Sequence, residues 1–386
     1  MRPNQTRLQA DHLGRDADAR SCAADLVRAL KEPHTVLVTG ATGFIGSRLA
    51  QALAAAGHDL IVLTRNPAKA ADLSPPFRLV TDLDQLPSAT RIDAIVNLAG
   101  EPLGDGIWTR GKRRRIMASR LRVTAKLVHL IARLKLPPKV LISASAISWY
   151  GRWQDEVLTE FDGGKRGFTH RVCEAWEQTA RRAQRHGVRV VRLRIGQVLG
   201  TQGGLLRGLL LPFRLGLGGA IGSGTQWLSW IERDDLVRLI AHCIVTAELR
   251  GPVNGTAPTP VRNRAFAQAL GRALARPAAW RFPAVLLQAF AGDLADELLL
   301  GGQQVLPAKI LASGFEFRHP TLASALADLF GARPARKITD APPQATCAAR
   351  QEPAGTAPTL ARVASPALQS GNRVAPASVE LARGRD

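Results

Sequence analysis

The sequence predicts an α/β protein, a doubly wound parallel sheet followed by a smaller mixed region that completes a substrate pocket, with disordered segments at both termini. Three observations carry this expectation. Short β-branched runs alternate with longer helix-like segments between about residues 34 and 200. A glycine-rich turn, Thr39-Gly-Ala-Thr-Gly-Phe-Ile-Gly46, joins the first run to the first helical segment. Beyond about residue 200 the alternation gives way to glycine-rich loops and helices.

Taken in order, the runs at Thr35 to Thr39, Leu60 to Leu63, Phe77 to Val80, Ala94 to Leu98, Val140 to Ser143 and Val188 to Leu193 are expected to be strands. Ile45 to Ala56, Arg113 to Leu134 and Thr169 to His186 have helical length and composition between them. Later helices are expected at Asp234 to Ala247, Asn263 to Leu274 and Pro283 to Leu300. Residues 1–33 have no sustained hydrophobic period, and 333–386 are rich in Ala, Pro and Arg, so both are expected to be disordered. The resulting division is 34–200 for a nucleotide-binding domain and 201–332 for the substrate region and a small C-terminal domain.

The chain has 386 residues, with 52 Lys+Arg against 31 Asp+Glu, and the net charge of +21 resides mainly between the two tails. Basic residues cluster at 110–122 and 181–194 without interleaved aromatic residues, so solvated arginine-rich helix faces are expected and nucleic-acid binding is not. The four cysteines lie far apart with no C-x-x-C pair, which argues against a zinc site or disulfide framework and for a reducing cytoplasm; no metal is expected. The first thirty residues lack the apolar core of a secretory signal, and the apolar stretch 203–222 is interrupted by Arg207 and Arg214, so no transmembrane segment is expected.

The glycine turn carries the clearest chemistry. Gly40 permits a tight turn, Gly43 lets backbone approach a pyrophosphate, and Gly46 lets the helix pack closely on the strand. With Thr42, Phe44 and Ile45 they place free amide groups of a helix amino terminus against phosphate oxygens. The second strand ends in Thr64 and Arg65 with no carboxylate, which points to the 2′-phosphate of NADP(H) rather than the ribose diol of NAD. Asp82 falls where the adenine edge would be met, or caps the short helix that follows. Leu98, Ala99 and Gly100 run past the cofactor after the fourth strand.

These motifs, with Asn97-Leu-Ala-Gly-Glu-Pro102, Ser143-Ala-Ser145 and Tyr150-Gly151 in the same order, resemble the extended short-chain dehydrogenase/reductases, the superfamily of nucleotide-sugar epimerases. Ser119-Arg120, Cys173-Glu-Ala-Trp-Glu177, the segment 222–235, Gly255-Thr-Ala-Pro-Thr-Pro-Val261 and Gly314-Phe-Glu-Phe317 resemble one atypical subgroup. Its members are labelled "epimerase family" or cell-division inhibitor, and they carry a small C-terminal domain of unknown function. The resemblance spans roughly residues 34–332 and implies a Rossmann fold and an NADP(H) site. It implies no particular substrate beyond a small carbonyl compound or something like a nucleotide sugar.

Typical members of that superfamily use a Tyr-x-x-x-Lys pair on one helix face. This chain has a single tyrosine, Tyr150, with Gln154 four residues later, and Thr169 and Cys173 stand where the pair would be. Ser145 matches the carbonyl-polarising position and is the first catalytic candidate. Tyr150 and Glu101 are the other two, each able in principle to move a proton. Arg194 and Gln197 follow the sixth strand, at the edge where cofactor and substrate bind in open sheets, and Gln226 and Trp230 approach from the second region as substrate contacts. The expectation is an NADP(H)-binding oxidoreductase or epimerase-like protein lacking the usual dyad. The alternative is a non-catalytic, NADP-responsive regulator that binds a protein partner; a homodimer is compatible with either.

Overall fold

Apolar runs buried on both faces can form a parallel sheet only if helices cover each side, and that is the arrangement adopted here. The structure, a computed structural model, describes residues 22–331 apart from 23, 27, 28, 72, 74, 75, 104, 105, 293 and 294. Its sheet comprises β1 (Thr35–Thr39), β2 (Asp59–Leu63), β3 (Arg78–Val80), β4 (Ala94–Asn97), β5 (Val140–Ala146), β6 (Arg189–Ile195) and β7 (Gly251–Gly255). The order is β7-β6-β5-β4-β1-β2-β3 with every neighbouring pair parallel. Thr39 stands opposite both Leu63 and Asn97, and Ser145 opposite Arg194, so the expected site residues share the carboxyl edge.

Helices α1 (Phe44–Ala55), α2 (Arg110–Arg133), α3 (Phe168–Arg181), α4 (Gly204–Arg214), α5 (Arg233–Val245) and α6 (Asn263–Ala273) follow in chain order. Leu49 and Leu53 of α1 and Leu236, Val237 and Ile240 of α5 enter one core with Val36, Val38, Val62 and Val96. Leu127, Leu130 and Ile131 of α2 form the opposite core with Leu37, Ile95 and Leu141. Arg48 of α1 grips Asp234 of α5 through two contacts of 2.7 and 2.5 Å, tying the two helices of the first core together.

Three expectations change. Cys22, Leu26 and Leu30 are buried in the first core, and Asp25 pairs with Arg318 at 2.6 Å and with Arg238 at 3.2 Å. The segment expected to be disordered up to residue 33 is therefore folded over its described part, because widely spaced apolar residues suffice to dock a short segment; 1–21 and 332–386 lie outside the described residues. The sheet takes its seventh strand from beyond residue 200. The single helix expected over 283–300 breaks at Gly292, which adopts φ +51° between Ala284–Ala291 and Ala295–Leu300. The second region otherwise contributes short pairs, Gln197–Leu199 with Trp230–Glu232 and Val157–Leu158 with Gln304–Val305, that lock it to the sheet edge. Among the described residues no helix is long and apolar enough to cross a membrane.

At the start of α5 the capping side chain is Glu232, which accepts from the amides of both Asp234 and Asp235. Asp235 instead receives the backbone amides of Arg318 and His319 at 2.9 and 2.8 Å, fastening the C-terminal region. Burial, with Asp234 close by, pushes the Glu232 carboxyl up to about 8. A carboxyl raised on folding holds a proton that the unfolded chain releases, so its contribution to stability is present below the ordinary glutamate range and is lost as pH rises toward about 8. Urea unfolding of wild type and Glu232→Gln should therefore show the variant gaining relative stability between about pH 5 and pH 9; a pH-independent difference would contradict the assignment.

Candidate active site

The glycine turn forms a cradle into which side chains do not fit. Gly40 has φ +73°, and a Cβ there would lie 2.8 Å from the Leu98 carbonyl carbon. At Gly46 a Cβ would approach the Gly40 oxygen to 2.1 Å, so helix and strand touch backbone to backbone. Gly43 occupies the cap position of α1 and supplies no side-chain acceptor, whereas Thr109 caps α2. The first amides of α1 thus point outward with the helix dipole behind them, and the cradle fits the diphosphate of a dinucleotide. Thr42 and Gly43 are exposed, Ile45 is half-buried, and the Phe44 ring turns aside onto Gly200, Gly203 and Gly204.

Behind the 98–100 backbone lies a buried polar chain. Thr39 Oγ1 donates to Asn97 Oδ1 at 2.7 Å and accepts from the Ala99 amide at 3.2 Å. Asn97 Nδ2 donates to Thr124 Oγ1 at 2.9 Å, which also receives the Trp176 indole N–H at 2.9 Å. These bonds hold Leu98 and Ala99 beside Gly40 and join β1, β4, α2 and α3 into one floor.

At the far end of that floor opens a cleft of about 260 Å³. Ile45 and Leu98 border it on the cradle side; Ser145, Thr169 and Cys173 border it on the other. Ser145 Oγ donates to Glu177 Oε1 at 2.9 Å. Glu177 is 3% exposed and is gripped by Arg194, Nε to Oε1 at 2.9 Å and Nη2 to Oε2 at 3.1 Å, and by Arg192 Nη1 at 3.0 Å. Burial pushes the Cys173 thiol up to about 11, so it is neutral at physiological pH and cannot supply the cation that a lysine would. Thr169 and Cys173 therefore line the cleft without the charge of a Tyr-x-x-x-Lys pair.

Several expected site residues are placed elsewhere. Tyr150 is fully buried; its hydroxyl lies 2.8 Å from both Thr159 O and Asn254 Oδ1, and burial pushes the phenol up to about 12. It lines neither the cleft nor the adjoining cavity, which corrects the expectation of a proton-transfer role. Glu101 is tied to Lys112 Nζ at 2.8 Å, which holds its carboxyl below the usual range and makes it a poor base. Arg194 is 2% exposed and commits two nitrogens to Glu177, with Trp149 stacked 3.4 Å from its Cζ, so it braces Ser145 through Glu177 rather than facing a ligand. Trp230 is fully enclosed, its indole N–H donating to Thr259 O at 2.9 Å. Asp82 caps the amide of Asp84 and pairs with Lys126 at 3.0 Å, the capping alternative.

Other expectations converge. Gln197 and Gln226 both line a cavity of about 40 Å³ together with Ser148 and Gln303. Thr64 is buried at the end of β2, and Arg65 beyond it is exposed with no ion pair among the described residues. Two residues without an expected role also belong to the site: Arg120 lines the cleft, and Glu177 orients Ser145. Both sit in the Ser119-Arg120 and Cys173-to-Glu177 motifs that carried the family resemblance, and that was the available signal.

Comparison with known proteins follows the same geometry. Residues 36–254 match the NAD dependent epimerase/dehydratase family and 282–329 match a domain of unknown function, DUF1731. The chain is 40% identical over 299 residues to the chloroplastic SDR39U1 homolog of Arabidopsis thaliana, an epimerase family protein, across 76% of this chain and 85% of that one. It is 37% identical over 300 residues to human epimerase family protein SDR39U1, across 76% and 99%. A crystal structure of the human protein (isoform 2) with NADPH superposes with a TM-score of 0.70 at 35% identity, covering 78% of this chain and all (100%) of that one. A Bacillus cereus UDP-glucuronic acid 4-epimerase, TM-score 0.60 at 18% identity, shares the fold over 77% of this chain and 98% of its own.

Removing Glu177 leaves the guanidinium groups of Arg192 and Arg194 without their shared carboxylate. Glu177→Ala should cost about 3–5 kcal/mol in urea unfolding, as for other broken buried pairs, and a loss below about 1 kcal/mol would show that the cluster does not hold α3 to the sheet.

Proposed function

The chain belongs to the NAD dependent epimerase/dehydratase family, and from that premise we propose that it binds NADPH along the carboxyl edge of the sheet and exchanges hydride with a small carbonyl or alcohol in the 260 Å³ cleft. The observation that carries this reading is the single cleft bounded by Ile45 and Leu98 of the cofactor cradle on one side and by Ser145 on the other. NADPH in the human relative's crystal structure supports the choice of cofactor. So does the exposed Arg65 at the end of β2, with no acidic residue beside it.

Bound NADPH would supply the hydride. The chain's own residues position and hydrogen-bond the reacting oxygen. Glu177 takes the hydrogen of Ser145, so Ser145 presents lone pairs to the cleft and accepts from a substrate hydroxyl; rotating that hydrogen away from Glu177 lets it donate to a carbonyl. With Tyr150 sealed and Glu101 held by Lys112, proton transfer falls to a water in contact with Ser145 and Thr169. Buried free thiols at Cys22, Cys173 and Cys243 support a reducing compartment such as the cytoplasm.

A second reading is a cofactor-responsive protein without turnover, and the neutral Cys173 in place of a lysine favours it. The two are separated by NADPH oxidation over a panel of aldehydes and ketones. Turnover that falls about 100-fold in Ser145→Ala supports the enzyme. NADPH binding with no turnover on any carbonyl supports the responsive protein.

Titration calorimetry addresses the cofactor. NADPH should bind more tightly than NADH, and Arg65→Gln should weaken NADPH by about tenfold while leaving NADH unchanged, as expected for loss of one charge-assisted contact. Equal affinity for the two cofactors in wild type would contradict the NADP assignment.

A further inference from the structure

Arg120 lines the cleft from α2 and is 8% exposed, its Cζ 5.2 Å from the centre of the Trp176 ring. It is the only charged residue lining that cleft among the described residues. Nη1 donates to the carbonyl oxygens of Glu101 at 2.9 Å and Ile116 at 3.1 Å. Among the described residues, Nε and Nη2 have no hydrogen-bond partner and no carboxylate pairs with the guanidinium. The direct contact with Glu101 is to its backbone, because the Glu101 carboxylate is bonded to Lys112 and Arg115 and reaches Arg120 only at longer range. Arg48 and Arg194, also buried, each have a carboxylate. Burial draws the Arg120 pKa down, and the nearby Glu101 charge offsets it only in part.

A buried guanidinium is costly unless something anionic meets it, and its Nε/Nη2 edge has the spacing for two parallel bonds to a carboxylate. The cofactor's phosphates have their own receptor at the α1 amides. Around Arg120 the walls are Leu103, Val172 and Trp176, which suit an apolar body and offer no second cation for a dianionic phosphate.

We propose that the substrate is a small monocarboxylate, its carboxylate held side-on by Nε and Nη2 of Arg120, its apolar body against Leu103, Val172 and Trp176, and its carbonyl or hydroxyl carbon toward Ser145 and Thr169. The proposal rests on the reading of this cleft as the nicotinamide end of the cofactor site.

The test is calorimetry on NADPH-saturated protein with benzoate and 2-oxobutanoate, using benzamide and 2-oxobutanamide as neutral controls. At least one acid should bind about tenfold more tightly than its amide. Arg120→Met should abolish that difference, and Arg120→Lys, which keeps the charge but not the fork, should retain only part of it. The NADPH affinity of both variants should stay within about threefold of wild type. Acids no tighter than their amides, or an unchanged preference in Arg120→Met, would overturn the proposal. So would an Arg120→Met variant that weakens NADPH as strongly as the acids, since Arg120 would then serve the cofactor. If Arg120→Met fails to fold by circular dichroism, the wild-type preference and Arg120→Lys decide. If wild type does not bind NADPH, the cofactor reading fails by itself, and the same acid and amide titrations on the protein alone still judge Arg120.

Discussion

Between Gly40 and Leu98 there is no room for a side chain, and the rest of the site depends on that contact. A Cβ at Gly40 would meet the Leu98 carbonyl carbon at 2.8 Å, and one at Gly46 would meet the Gly40 oxygen at 2.1 Å. Backbone on backbone brings the ends of β1 and β4 and the start of α1 to one point. The Thr39–Asn97–Thr124 chain then fixes the next residues of the floor, at Leu98 and Ala99. The glycine cradle and the cleft beside Ser145 therefore share a single rigid base, the preorganisation that the proposed hydride transfer would need.

The cleft departs from the superfamily's usual solution in a physically coherent way. Where a Tyr-x-x-x-Lys pair would put a cation and an acid on α3, this chain has Thr169 and a neutral thiol at Cys173. Its charges are redistributed. Glu177, one turn further along α3, gathers Arg192 and Arg194 behind Ser145 and sets the direction of that hydroxyl. Arg120 brings the positive charge to the cleft wall from α2 instead. The single tyrosine has become a packing element under Arg194, with that Cζ 5.0 Å from its ring centre.

Features encoded over a few adjacent residues were legible beforehand. The glycine turn is one, because each glycine answers a local steric demand; the β-branched runs of the sheet are another, because burial on both faces leaves them apolar throughout. The strand Gly251–Gly255 was not foreseen: its residues Gly-Pro-Val-Asn-Gly have poor strand propensity, and it exists because β6 offers an edge to pair with. The roles of Tyr150, Trp230 and Arg194 failed for a related reason. Each stands near the carboxyl edge in sequence, yet burial and partner choice are tertiary properties, decided by Asn254, Thr259 and Glu177 from distant segments. Glu232, not its acidic neighbours, caps α5, because Asp234 is held by Arg48 and Asp235 by the amides of Arg318 and His319.

The central claim is that cofactor cradle and chemical cleft are one continuous site whose reacting group is Ser145 rather than a tyrosine. A crystal structure of the protein with NADPH tests it most directly. The account predicts the diphosphate on the amides of α1 and the nicotinamide C4 in the cleft between Ser145 and Thr169, with Tyr150 still bonded to Thr159 and Asn254. A nicotinamide lying outside the cleft, or a Tyr150 hydroxyl that swings out to meet it, would contradict the account.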